Sequence, residues 1–277
     1  TIENTPIEAK FVKYHLTHIK LSKSGFFYGK NDYLCSLIYN KKFLQTMINR
    51  ILIRIKVLQI VYSYYQNGNG DLKVAENELL FSLQKSYDLY YYFLLLIIEV
   101  TNLQRRILDT RKCKYMPTDE ELNPNTRFID NRFVAQLAEN DTLKKYVDEQ
   151  GLSWSNDEEF IKNVLNTILS SEIYAEYLKN EEDSYETDRE FWRQIFKKII
   201  CGNEMIEEYL EDKSIYWNDD IEIVETFALK TIKKFEEKKG SKQALLPMFK
   251  DLEDKAFAIK LFRQSLLKGK EYRERID

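Results

Sequence analysis

Glycine and proline are what this chain most conspicuously lacks. Eight Gly and four Pro among 277 residues leave too few turn signals for many short strands, each of which needs a residue tolerant of positive φ or a fixed proline at its ends. An apolar fraction of 44% supplies a sizeable core, and 31% charged residues supply solvated faces. The fold class this predicts is all-α.

Apolar residues at three- and four-residue spacing predict where the helices lie. The first runs from about Ile48 to Gln66 and ends at Asn67-Gly68-Asn69-Gly70, residues that tolerate positive φ. Asp71 then caps a second helix reaching about Arg111, with Leu72, Ala75, Leu79, Leu80 and Leu83 as its first stripe and a break placed near Ser86. Its Tyr87–Val100 stretch is apolar on all sides and reads as buried helix. Met116-Pro117 to Asn123-Pro124 is the clearest linker. Beyond it, helices are predicted near 127–139, 157–179, 187–201, 204–212, 219–238 and 252–276. Residues 1–46 show no sustained helical period and form an unassigned leader, with Met47 as the expected natural start.

The longest apolar run, Leu89–Ile98, falls short of the roughly 20 residues that cross a bilayer, so no membrane partner is expected. No secretory signal stands at the N-terminus, and the cytoplasm is the expected compartment. Cys35, Cys113 and Cys201 are odd in number and widely spaced, which points to reduced, structural cysteines. His15 and His18 lack a third ligand nearby, so no metal is expected. No phosphate loop and no Gly-x-Ser-x-Gly elbow occurs. The acidic pairs Glu181-Glu182 and Asp219-Asp220 read as solvated faces or caps. Nothing argues for an enzyme or a cofactor.

Charge is segregated along the chain. Residues 1–66 carry ten Lys or Arg against three Asp or Glu, 112–250 carry 20 against 30, and 260–275 carry six against two. Such a pattern steers a polyanion to one surface and repels it from another. The sharpest candidate site is the start of the first helix, where Arg50 and Arg54 lie one turn apart and Lys56 follows on nearly the opposite flank. Cations at a helix N-terminus oppose its dipole, so local stability does not explain them. Unpaired helix N–H groups and guanidinium forks together suit a phosphate. The alternative is that the arginines lie along apolar surface or pair with the acidic middle section. Tyr62, Tyr64, Tyr65 and Tyr90-Tyr91-Tyr92 read as core; exposed, they would stack on unpaired bases.

The stretch Met47–Gln66, with Arg50, Arg54 and Gln59-Ile60-Val61-Tyr62-Ser63, resembles the first helix of the NusB family of transcription antitermination factors. Phe262-Arg263-Gln264-Ser265-Leu266-Leu267-Lys268-Gly269 is similar to a second motif of that family, Phe-x-x-x-Leu-Leu/Val-x-Gly. Ile51 and Leu52 stand where the family carries further arginines. The resemblance implies a NusB-like helical bundle made of 47–111 and a return helix over 251–277, interrupted by an acidic helical insertion over 112–250. It also implies an incomplete bundle, since the family continues with four more helices. Implied partners are boxA-like RNA of ribosomal transcripts, the ribosomal protein NusE and the transcription elongation complex, with Arg50, Arg54 and Lys56 on the RNA. The rival expectation is a non-enzymatic helical protein-interaction scaffold whose acidic section recruits a basic partner.

Overall fold

The computed structural model describes residues 47–68, 70–249 and 252–273. Every regular element among them is helical. Helix α1 (Arg50–Gln66) starts where the Asn49 carboxamide accepts the Ile51 and Leu52 N–H groups, both at 2.9 Å, and it stops at Asn67 and left-handed Gly68 (φ 71°). Helix α2 (Leu72–Lys112) starts with the Asp71 carboxylate accepting the Lys73 N–H at 2.7 Å and runs for 41 residues, roughly 60 Å.

The expected break near Ser86 does not occur. Ser82 and Ser86 donate their hydroxyls to the Leu79 and Ser82 carbonyls of the same helix, at 2.8 and 3.0 Å, so polar side chains inside the core are satisfied without interrupting it. From Ser82 to Leu108 most of α2 is buried, and the reason is that the rest of the chain wraps it.

The wrapping helices are α3 (Asp119–Leu122), α4 (Arg132–Ala138), α5 (Asp141–Gln150), α6 (Glu158–Leu169), α10 (Ile221–Lys234) and α11 (Leu252–Arg273), which with α1 all touch α2. Outside them, α7 (Glu172–Lys179) packs on α6, and α8 (Tyr185–Ile195) packs on α4, α7 and α10. A π-helical turn, Phe196–Ile200, extends α8, and α9 (Glu204–Lys213) follows. A 3-10 turn, Glu237–Lys242, leads to the extended segment before α11.

The described residues fall in one compact unit. The acidic section 112–250 is therefore no separate body: its apolar faces supply the core around α2. Phe196 meets Phe93 edge to face at 5.6 Å, Trp154 donates its indole N–H to the Tyr92 carbonyl at 3.1 Å, and Tyr90 and Thr231 share a 2.7 Å hydrogen bond. Tyr90 and Tyr91 are buried as expected, whereas Tyr62 is 51% exposed and Tyr65 36%.

Local capping explains the other departures from the predicted helices. The expected 157–179 helix divides because the Ser171 hydroxyl caps a new start by accepting the Tyr174 N–H at 3.2 Å. The 127–139 helix begins only at Arg132, after Asn131. Helix α5 was not predicted at all. Asn140 starts it, left-handed Gly151 ends it, and only Leu143 of its residues is buried, so its apolar signal is thin.

The return segment closes the fold. Met47 and Ile48 donate their N–H groups to the Pro247 and Met248 carbonyls at 3.0 and 2.9 Å, and Tyr87 donates its hydroxyl to the Leu246 carbonyl at 2.8 Å. Fully buried Asn140 ties this segment to α5 by donating to the Gln243 carbonyl at 2.7 Å while accepting the Leu143 N–H at 3.0 Å. Asn140→Ala removes a cap and strands a buried carbonyl, and is expected to destabilise the fold by about 2 kcal/mol in denaturant unfolding.

Candidate nucleic-acid interface

Helix α1 has little polar surface of its own, so its environment decides which residues face inward. Leu52, Ile53, Val57 and Ile60 are buried with Lys56. Arg54, Leu58, Tyr62 and Tyr65 lie on the outside, with Leu58 70% exposed. Helical spacing puts Arg54, Leu58 and Tyr62 in one row.

The three cations expected at the site part company here. Arg50 is exposed and holds its guanidinium 5.2 Å from the centre of the Phe257 ring of α11. Arg54 is exposed, and among the described residues no carboxylate pairs with either arginine. Lys56 is 1% exposed, with its ammonium 2.7 Å from Asp220 Oδ2 and 2.7 Å from the Tyr216 carbonyl it donates to. This corrects the expectation for Lys56: a dry ammonium already neutralised by a buried carboxylate has nothing to offer a phosphate.

The helix N-terminus is corrected as well. Asn49 consumes the Ile51 and Leu52 N–H groups and the Asn49 carbonyl accepts that of Ile53, so the first turn is closed to an anion. What remains is two guanidinium groups on a polar-poor helix, followed by exposed tyrosine rings.

The two segments that carry the NusB resemblance meet in space, since α1 and α11 pack side by side. Tyr64 meets Phe262 edge to face at 6.4 Å, and Tyr65 donates its hydroxyl to the Leu266 carbonyl at 3.2 Å. A side chain at Gly269 would collide with that hydroxyl, which accounts for a glycine inside α11. Next to this contact on α11, Arg263 forks onto Glu76 of α2.

Asp219 and Asp220, read from sequence as surface acids, serve different ends. Asp219 accepts the Gln59 amide at 2.7 Å at the surface, while Asp220 is fully buried. Burial pushes the Asp220 carboxyl above its ordinary value, against the pull of the Lys56 ammonium and the Ser86 hydroxyl. His15, His18 and Cys35 lie outside the described residues. Among the described residues, no group of three His, Cys, Asp or Glu is placed to hold a metal, and no helix is long and apolar enough to cross a membrane.

Sequence reasoning missed one further titratable group. Glu225 of α10 is 4% exposed, and burial first, then Glu207, pushes its carboxyl up to about 8. The neighbouring Gly202 N–H and Cys201 thiol pull in the opposite direction without reversing the shift. The same burial, with Glu225 beside it, pushes the Cys201 thiol far up, so Cys201 is held as a thiol and is a poor nucleophile. A glutamate on the same arc as Ile221, Ala228 and Ile232, at four-, three- and seven-residue spacing, was the available signal.

No family model, curated protein or solved structure matches the chain. The NusB resemblance thus rests on the two segments alone.

Two outcomes follow from the buried groups. Lys56→Met strands the Asp220 carboxylate and is expected to cost roughly 3–5 kcal/mol in stability, whereas Lys56→Met with Asp220→Leu restores most of it. Equal losses in the single and double variants would show that the pair is not dry. For Glu225, the folded-state value near 8 stands above the ordinary 4.5. Its contribution to stability is complete below pH 4.5 and is lost as pH rises through 8, on the order of 5 kcal/mol in all. Glu225→Gln should flatten that decline in pH-dependent chemical denaturation.

Proposed function

We propose that this chain is a non-enzymatic, NusB-like RNA-binding factor of transcription antitermination, acting on boxA-like RNA together with NusE within the elongation complex. The observation that carries the reading is the outer row of α1, where exposed Arg54, which no carboxylate of the described residues pairs, is followed at helical spacing by Leu58 and the half-exposed ring of Tyr62, with Arg50 beside it. Guanidinium groups neutralise phosphates, and exposed aromatic rings stack on unpaired bases; the combination fits single-stranded RNA. Phe257 supports the plane of Arg50 without using its N–H donors.

The packing of α1 against α11 adds support, because the two segments similar to NusB proteins are about 200 residues apart yet form one helix pair. Lys56 has no part in this reading. Apolar side chains also stand on the outside, Leu58 at 70%, Val74 at 63% and Leu267 at 80% exposed, a surface that RNA bases or a partner would cover. The same side chains favour the rival, a helical scaffold that docks a protein.

Salt dependence separates the two. With single-stranded boxA-like RNA, replacing both Arg50 and Arg54 with Ala should flatten the slope of log affinity against log salt by about one to two units while the fold persists. An unchanged slope in the folded double variant removes these arginines from an RNA site and leaves the scaffold as the better account.

A further inference from the structure

The acidic section carries a constellation that the RNA reading does not use. At the C-terminal end of α9, the Lys213 ammonium lies 5.6 Å from the ring centre of Tyr92, 5.2 Å from that of Trp154 and 5.9 Å from that of Tyr209. Asp157 Oδ2 stands 2.5 Å from the same nitrogen. Tyr209 is one helical turn from Lys213 and would neighbour it in any helix, but the other walls are long-range: Tyr92 belongs to α2, and Trp154 and Asp157 to the loop before α6.

Each wall is held by something other than the lysine. Trp154 is 3% exposed and donates its indole N–H to the Tyr92 carbonyl at 3.1 Å. Phe160 stacks on Trp154 at 5.3 Å and on Tyr209 at 3.9 Å, and Tyr92 meets Trp154 edge to face at 5.1 Å. The Tyr209 hydroxyl donates to the other Asp157 oxygen, which aims Oδ2 inward. The lysine side chain retains 25% of its exposure, so the mouth of this box is open. Trp154 also borders a separate cleft of about 230 Å³ lined by Glu99, Arg106, Ser155, Glu158 and Ile161, which the other members of the box do not line.

Three aromatic walls and one carboxylate around a cation are the chemistry by which proteins recognise alkylated ammonium groups. We propose that Tyr92, Trp154, Tyr209 and Asp157 form a binding site for a methylated alkylammonium group, filled in this structure by the chain's own Lys213 as a tethered stand-in. Exchanging Lys213 for such a ligand swaps one cation for another and leaves no bare carboxylate. The ligand has only to outcompete the effective concentration of the tether, of millimolar order for a short flexible link. Methyl groups gain contact with the rings, while Asp157 Oδ2 requires one N–H donor. The site therefore favours a partly methylated amine over a quaternary one, whether it arrives on a lysine side chain or as a free amine.

The wild-type protein provides the first test. Reductive methylation with ¹³C-formaldehyde converts accessible lysines to dimethylamines, and the Lys213 signal should appear displaced upfield by the rings. It should vanish in Lys213→Arg and move toward the other lysine signals as trimethylammonium is added. The absence of a displaced signal, or one that trimethylammonium does not move, overturns the proposal. In Lys213→Ala, trimethylammonium should bind at least about tenfold more tightly than to wild type, read from tryptophan fluorescence. Tetramethylammonium, of nearly the same size but without an N–H, should bind less well. A peptide carrying dimethyllysine separates the sources: tighter binding than trimethylammonium assigns the site to a protein partner, and equal binding to a free amine. Equal affinity of wild type and a folded Lys213→Ala protein would overturn the stand-in role.

Discussion

The ion pair between Lys56 and Asp220 is the contact on which the placement of α1 depends. An apolar helix with no polar face has no preferred rotation from hydrophobic packing alone, because almost any arc can be buried at similar gain. One lysine inside that arc removes the ambiguity. Its ammonium must meet a carboxylate, and the only arrangement that does so puts Leu52, Ile53, Val57 and Ile60 inward and Arg54, Leu58 and Tyr62 outward. Net stability is not the reason to keep such a pair, since desolvating two charges offsets most of their attraction. The cost is visible in Asp220, whose Oδ1 has no hydrogen-bond partner among the described residues and whose carboxyl is raised by burial. What the pair supplies is selection: docking α1 in another register leaves two bare charges in the core.

How much of this the sequence discloses depends on how local each cause is. The end of α1 and the start of α2 were legible because Asn67-Gly68 and Asp71 act within one turn of themselves. The all-α class followed from the shortage of turn residues. Lys56 was misread because its partners lie about 160 residues away, and a helix whose few polar residues are scattered around its axis gives no angular hint of which side is inside. Helix α5 escaped notice because only Leu143 marks its buried face. The acidic section 112–250 was expected as an insertion, yet Phe196, Trp154 and Thr231 complete the core around α2, and three of its acids, Asp188, Asp220 and Glu225, are themselves buried. Net charge reports the surface of a segment and says nothing of what its apolar face packs against.

The outer face of α1 is the counterpart of that selection. Once Lys56 fixes the rotation, the residues left outside are an arginine, a leucine and tyrosines, a composition that water solvates poorly and that single-stranded RNA or a protein helix covers well. Arg50 and Arg54 are thus placed at the surface by a third cation that never reaches it. For this reason the three basic residues at the start of the chain's first described helix do not act as a group.

The same logic of lysine and carboxylate recurs one segment away, with the opposite solvent balance. Residues 213–220 are held at one end by Lys213 on Asp157 and at the other by Asp220 on Lys56. The Lys56 pair is dry and hydrogen-bonded to backbone, so neither ion is replaceable without stranding the other. The Lys213 pair is partly wet, its ammonium is held by ring faces as much as by charge, and its site accepts another cation at little electrostatic cost. Between the two anchors, the Tyr216 carbonyl and Asp219 both touch α1, through Lys56 and Gln59. A ligand that drew Lys213 out of its box would therefore loosen the segment at the exchangeable end first, and the fixed end would carry any displacement to the helix whose rotation it sets.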